Sequence, residues 1–285
     1  MDTEAETMIA AAAARLRSVS DRFGLAGEEE DESRELLAEA LGREPEAGEA
    51  VPGTVRRRFE RLISRRMTGE PLEYITGRVE FAGHPLGIGA GMFIPRVTSE
   101  FLAFQAARRL RGRRRPVHVD VATGIGPVAL AVALAVPRAG VWGVDISQKA
   151  INQAAANARR LGARNASFSR GDLFAGLPAR LRGSVDVVTI HPPYVPRAMV
   201  ADLPAEIGRF EPRHTLTDGS EDGFGLVRRV IGEGRDWIVP GGWLLIEIMP
   251  SESRRVRSLL AAGGYREARS TRGAYRETRV VAGRR

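Results

Sequence analysis

The chain has 285 residues, 43 % hydrophobic and 27 % charged, with no cysteine and four histidines. That is enough to bury one large core or a large and a small one, and the absence of cysteine excludes disulfides, thiolate nucleophiles and Cys-ligated metals. The net charge of +8 invites nucleic acid as a partner; yet Lys149 is the only lysine, so arginine fills the cationic positions as a matter of composition.

Apolar residues in the first 70 or so positions recur at helical spacing, as in Leu36, Leu37, Ala40 and Leu41, or Phe59, Leu62, Ile63 and Met67. They predict a small helical domain over 1–75, with GREPEAGEAVPG as a turn and Thr54 as cap of the helix that follows. Within it RRRFERLISRR (56–66), and later RRLRGRRR (108–115), are the candidate nucleic-acid-binding patches; the stronger reading of each is a solvated face. RVEFAG and PLGIGAGMFIP then change the period and predict a β-hairpin linker over 76–95. From 96 to 285 the order is strand, glycine turn, helix, repeated, through VHVDVATGIG, PVALAVALAV, GVWGVDIS, QKAINQAAANARRLG, ASFSRGD and VDVVTI. Such alternation predicts a doubly wound, mostly parallel sheet, closed by GGWLLIEI, a helix near 251–262 and an antiparallel pair at the end. No apolar run reaches the roughly 20 residues of a membrane helix, and the start MDTEAETMIA lacks signal-peptide order, so a cytoplasmic protein without membrane contact is expected. The scattered histidines offer no ligand spacing, and no metal is expected.

In a doubly wound sheet, ligands bind beyond the carboxyl ends of the strands. DVATGIG (120–126) stands at the first such end, where Gly124 and Gly126 permit positive φ and Pro127 suits a first helical position. It has neither the G-x-G-x-x-G order nor a Walker lysine, so pyrophosphate is not the obvious guest. Asp145, 19 residues beyond Gly126, ends the second strand, where a carboxylate can accept hydrogen bonds from both hydroxyls of a ribose. RGDLF adds Asp172 after the third strand, for an adenine amino group, with Leu173 and Phe174 as apolar walls. Together these predict a nucleoside cofactor. At the fourth end the strand VDVVTI stops on His191, Pro192, Pro193 and Tyr194.

These stretches, with GEPLEYITGRVEFAG (69–83), FIPR (93–96), HPPYVP (191–196), EIGRFEPRHTLTDGSEDG (206–223) and PGGWLLIEI (240–248), resemble the class I methyltransferases. The closest resemblance is to the family that methylates the side-chain amide of glutamine in peptide release factors, and it covers nearly the whole chain. It implies a seven-stranded Rossmann-like domain and S-adenosyl-L-methionine as cofactor. The cofactor would be held by Ala122, Thr123, Gly124, Ile125, Gly126, Asp145, Ile146, Asp172, Leu173 and His191. It also implies an acceptor site at His191, Pro192, Pro193, Tyr194 and Arg96, with His191, Pro192 and Tyr194 catalytic. The helical domain would recognise a protein acceptor, a release factor or ribosomal protein.

The family tetrapeptide is Asn-Pro-Pro-Tyr, whose Asn orients the substrate NH₂ toward the methyl group; here His191 replaces Asn. A neutral imidazole can accept one hydrogen bond but cannot offer an amide's two groups together. It also brings a pKa near 6.5, and thus a possible general base. Ala122 stands for the family's first loop glycine, Met249 for the glycine after LLIEI, and only Glu100 remains of an acidic pair after FIPR. Retained scaffold with an altered mouth leaves several acceptors open: glutamine in a protein, a small amine, guanidine or amino acid, or a nucleic-acid amine. His191 could be base, orienting group or merely tolerated, and a binding protein without turnover is the non-enzymatic alternative.

Overall fold

In the computed structural model the described residues are 4–23, 28–46, 50–274 and 278–285. The chain forms two compact units: residues 1–78 with 89–91 and 201–211, and residues 79–88 with 92–200 and 212–285.

The first unit packs α1 (Glu4–Phe23), α2 (Glu29–Leu41), α3 (Gly53–Arg66), α4 (Leu72–Thr76) and the short α8 (Ala205–Phe210). The 3.6-residue period brings Ile9, Leu16, Leu36, Leu37, Phe59 and Ile63 into one core, each at most 1 % exposed. Burial of such side chains stabilises by about 1.5–3 kcal/mol apiece. Gly42, at φ 79°, ends α2 in the left-handed conformation. Thr54 is not the cap of α3: Pro52 holds that position, and among the described residues no side chain caps the helix. The arginine run on α3 is largely consumed by carboxylates of its own unit. Arg58 pairs with Glu39 at 2.7 Å, Arg65 with Glu70 at 2.6 Å, and buried Arg66 with Glu32 at 2.7 Å and Glu206 at 2.6 Å.

The second unit opens with β1 (Arg78–Phe81) and β2 (His84–Gly87), a two-stranded sheet turned at Ala82 and Gly83, both at positive φ. After α5 (Ser99–Leu110) come β3 (Val117–Val121), α6 (Pro127–Ala135), β4 (Gly140–Asp145), α7 (Gln148–Leu161), β5 (Ala166–Arg170) and β6 (Val185–Ile190). The short α9 (Arg213–Leu216), α10 (Gly225–Trp237), β7 (Ile238–Ile248), α11 (Ser253–Ala262), β8 (Arg266–Arg272) and β9 (Arg279–Arg284) complete it. One seven-stranded sheet runs β5-β4-β3-β6-β7-β9-β8, parallel through β7 and antiparallel at β9 and β8.

Successive strand residues point to opposite faces. Val119, Val121, Val188, Ile190, Leu244 and Ile246 share a core with Val227, Val230 and Ile231 of α10 and Val256 and Leu260 of α11. His118, Asp120, Thr189 and Glu247 lie on the other set of positions and are equally buried, none above 3 % exposed. The second arginine run is also partly absorbed: Arg113 pairs with Asp186, and Arg109 lies 4.7 Å over the Trp243 ring. Among the described residues no helix is long and apolar enough to cross a membrane.

Candidate active site

The loop after β3 is tied down from both sides. Gly124 donates its N–H to Asp145 Oδ2 at 2.8 Å and Ser147 donates to Oδ1 at 2.9 Å, while Ser147 Oγ caps α7 at the Ala150 N–H. A carboxylate has about four acceptor positions, so each oxygen can still take a hydroxyl hydrogen. Gly124 sits at φ +56°, and a Cβ built there would meet nothing within 4 Å. Its backbone conformation, not crowding, calls for glycine, and the space over it is open. Ile146 beside it is 49 % exposed. Ala122, where the family has glycine, is at φ 55° and so bears the left-handed strain, about 1–2 kcal/mol for a residue with a Cβ.

Other residues of the predicted cofactor set turn elsewhere. Thr123 and Ile125 are buried at 3 % and 1 % exposure, and Leu173 and Phe174 lie in the sheet core. Asp172 is exposed and held by Arg229 of α10, with oxygens 3.0 and 3.2 Å from Nη1.

A residue that the motifs alone did not single out as functional, Asp120, fixes this loop. Thr123 Oγ1 donates to its Oδ2 and Thr189 Oγ1 to its Oδ1, both at 2.6 Å. Thr189 has a single hydroxyl hydrogen, so it accepts from His118 Nε2, 2.9 Å away. Burial pushes the Asp120 carboxyl up to about 6 and the His118 imidazole down to about 3. One buried acid thus holds both the loop after β3 and β6, two residues before His191.

At the end of β6, Ile190 pairs with Val121 and Ile246, and the two prolines then carry the chain off the sheet. Pro192 is buried and Pro193 half-buried. Tyr194 forms an antiparallel bridge to Thr217, and Gly223 lies so close that a Cβ there would come 2.2 Å from the Tyr194 carbonyl oxygen. The EDG segment therefore has its glycine because it packs on the backbone of the tetrapeptide.

His191 is clasped on several sides. Its ring stacks on Tyr194 with centroids 5.6 Å apart at 14°, and meets Phe93 edge-on at 5.5 Å and 83°. Arg96 lies 4.7 Å over the Phe93 ring. His191 Nδ1 is 3.0 Å from Ser99 Oγ and 3.7 Å from Glu247 Oε2. Glu247 is fully buried, and its Oε1 accepts from Thr98 Oγ1 at 2.9 Å. Burial lowers the His191 pKa, opposed by Glu247 and reinforced by Arg96; burial and Glu247 raise that of Tyr194. Phe93, Thr98, Ser99 and Glu247 were not predicted as site residues. The available signal was a polar residue inside an apolar strand run, as in WLLIEI, VHVDV and VDVVTI, since buried polar groups are the informative exceptions.

The mostly parallel sheet thus carries a glycine loop, a carboxylate at the next strand end and a Pro-Pro turn beyond the fourth, all at the carboxyl ends of its parallel strands. A methyltransferase domain matches residues 116–218, and a PrmC N-terminal domain matches residues 12–77. The chain is 37 % identical over 214 residues to the release factor glutamine methyltransferase of Bordetella pertussis, covering 75 % of this chain and 77 % of that protein. It is 35 % identical over 219 residues to the 4-amino-L-phenylalanine/4-methylamino-L-phenylalanine methyltransferase of Streptomyces pristinaespiralis, covering 75 % and 73 %. The solved T. thermophilus 16S rRNA N2 G1207 methyltransferase, in complex with AdoMet and guanosine, shares the fold at TM-score 0.52 and 16 % identity, covering 73 % of this chain and 49 % of that one. The chain belongs to the release factor glutamine methyltransferase family.

Proposed function

We propose that the chain methylates the side-chain amide nitrogen of a glutamine in a peptide release factor, in the cytoplasm, with the helical unit recognising the protein acceptor. The observation that carries the reading is the aromatic cluster at the end of β6, where Tyr194 stacks on the His191 ring and Phe93 meets it edge-on, a surrounding suited to a planar amide. Membership of the family supports the same acceptor.

On this reading the backbone around Gly124, with Ala122 and Gly126, lines the cofactor, and Asp145 accepts the ribose hydroxyls through its remaining lone pairs. Ile146 covers an adenine face. Asp172 reaches the adenine amino group by sharing Arg229, and Thr123, Ile125 and Leu173 support the loops from within. The bound cofactor supplies an electrophilic methyl group on a sulfonium. His191, Pro192, Pro193, Tyr194 and Arg96 hold the acceptor, because methyl transfer gains most from a nitrogen held roughly 3 Å away and in line. Incubating the protein with methyl-labelled cofactor and a purified release factor, followed by mass spectrometry, should find one added methyl on a glutamine. Absence of label there, with turnover on an amine, reverses the assignment.

One observation favours a second reading. The imidazole in place of Asn, beside a buried carboxylate, suits an acceptor whose nitrogen must give up a proton as it is methylated, such as a small aromatic amine. The Streptomyces relative's substrate is of that kind. 4-Aminophenylalanine is therefore the first small molecule to assay.

A further inference from the structure

We propose that Glu247 is the positioning residue of this site: it keeps the His191 proton on Nδ1, so that Nε2 meets the acceptor with a bare lone pair. The proposal rests on the reading above only in taking His191 to face the acceptor.

Glu247 is 0 % exposed, Thr98 satisfies Oε1, and Oε2 has no hydrogen-bond donor among the described residues. A buried carboxylate oxygen without a donor is costly and calls for a compensating positive group. The atom nearest in kind is His191 Nδ1, 3.7 Å away, which also contacts Ser99 Oγ at 3.0 Å. Were Nδ1 bare, its lone pair would face Oε2 inside a poorly solvated site, where like charges repel strongly. With the proton on Nδ1, the N–H donates to Ser99 Oγ and its positive end faces Oε2. A neutral imidazole carries one proton, so Nε2 is then the acceptor.

Nε2 lies on the far side of the ring from Ser99. It makes no hydrogen bond with the described residues and is not among their buried unpaired atoms, and the side chain keeps 15 % exposure. The ring cannot readily swing away, because Tyr194 stacks on one face and Phe93 abuts it. The charged or titratable groups facing it are Glu247 from β7, Arg96 ahead of α5 and Tyr194 after β6. Of these only Glu247 favours the imidazolium.

In the transfer the acceptor nitrogen gives its lone pair to the new C–N bond, the C–S bond breaks with its pair left on sulfur, and one N–H proton passes to Nε2. The positive charge thereby moves from sulfonium to imidazolium, next to Glu247. A carboxylate that orients a metal-ligating histidine is worth roughly 10 to 100-fold, and an effect of that order is expected here.

The test uses the full chain without ligand, labelled with ¹⁵N-histidine. The long-range nitrogen–proton spectrum at pH 7.5, with His191 identified by its loss in His191→Gln, should show Nδ1 protonated and Nε2 bare. In Glu247→Gln the proton should redistribute toward Nε2 and the imidazole titration midpoint should fall. Ser99→Ala should keep Nδ1 protonated, because the carboxylate remains. Methyl transfer to a release factor or to 4-aminophenylalanine, whichever is the better acceptor, should drop roughly 10 to 100-fold in kcat for Glu247→Gln with KM little changed. Glu247→Asp should recover part of it. An Nε2-protonated ring in the unaltered chain overturns the proposal, as does a Glu247→Gln protein with unchanged tautomer and midpoint. If the ring is as proposed but His191 variants leave transfer intact, the assignment of His191 to the acceptor fails and the Glu247 pairing stands.

Discussion

The ends of β4 and β6 solve opposite problems. At β4 the carboxylate of Asp145 is answered by two backbone N–H groups, at 2.8 and 2.9 Å, so the loop geometry itself builds the site. At β6 the partners of His191 are side chains from separate segments, Phe93, Ser99, Tyr194 and Glu247, and one oxygen of buried Glu247 stays without a donor among the described residues. A site made of backbone changes little when residues change. A site made of side chains can be rewritten one substitution at a time, as His191 for the family's Asn shows. On the proposed reading, the cofactor half is held mainly by backbone groups and the acceptor half mainly by side chains.

His191→Ala gives the widest separation between the halves. It should lower turnover roughly 10² to 10⁴-fold, the range of general-base contributions, while S-adenosylhomocysteine affinity by calorimetry stays within about twofold. An equal fall in affinity would merge the two regions. His191→Asn restores the family tetrapeptide and divides the roles: a similar loss marks a base, whereas equal or better glutamine methylation marks an orienting group.

Asp120 belongs to both halves, and its effect appears in stability. Its folded carboxyl is raised to about 6, so the folded state binds the proton more tightly than the unfolded chain does, and this group's contribution weakens as pH rises from about 4 to 6. His118, lowered to about 3, acts the other way, losing stability as pH falls below 6.5. The two slopes oppose each other between pH 4 and 6. Asp120→Asn removes one of them. Relative to the unaltered chain it should lose about 1.4 kcal/mol per pH unit on going from 6 to 4, read from urea midpoints. A difference independent of pH would mean that Asp120 stays ionised throughout.

Asp145→Ala should weaken S-adenosylhomocysteine binding by about 1.5–3 kcal/mol in calorimetric titration, the scale of charge-assisted hydrogen bonds. Unchanged affinity in a folded variant would remove Asp145 from the cofactor site. The smallest effect is the pH profile. Because burial lowers the His191 pKa, turnover at saturating cofactor should rise with pH through a midpoint below 6.5 and stay level from about 7 to 8.5. A midpoint above 6.5 would mean that Glu247 outweighs burial.

Local rules made much of this molecule readable from sequence. Period 3.6 in the first 75 residues, alternation of strand and helix, glycines at a strand end and the Pro-Pro stop at 192–193 each depend on neighbours in the chain, and the helices, the sheet and its switch-point loops follow. The HPPY tetrapeptide likewise marked the end of the fourth strand, where the acceptor site is proposed. Only tertiary structure decided what His191 meets. Glu247 lies 56 positions away and Ser99 92; Glu247 reaches it because β7 pairs with β6 in a register that sets Ile246 beside Ile190, and Ser99 because the first turn of α5 meets the His191 ring. Side-chain parity then puts Glu247 and Thr189 on the same face. Tertiary burial also turned Thr123, Ile125 and Leu173 inward, although the motif lists them beside residues that face outward. A sequence states which polar groups enter an apolar strand, but their partners, and hence their protons, are fixed only when the sheet closes around them.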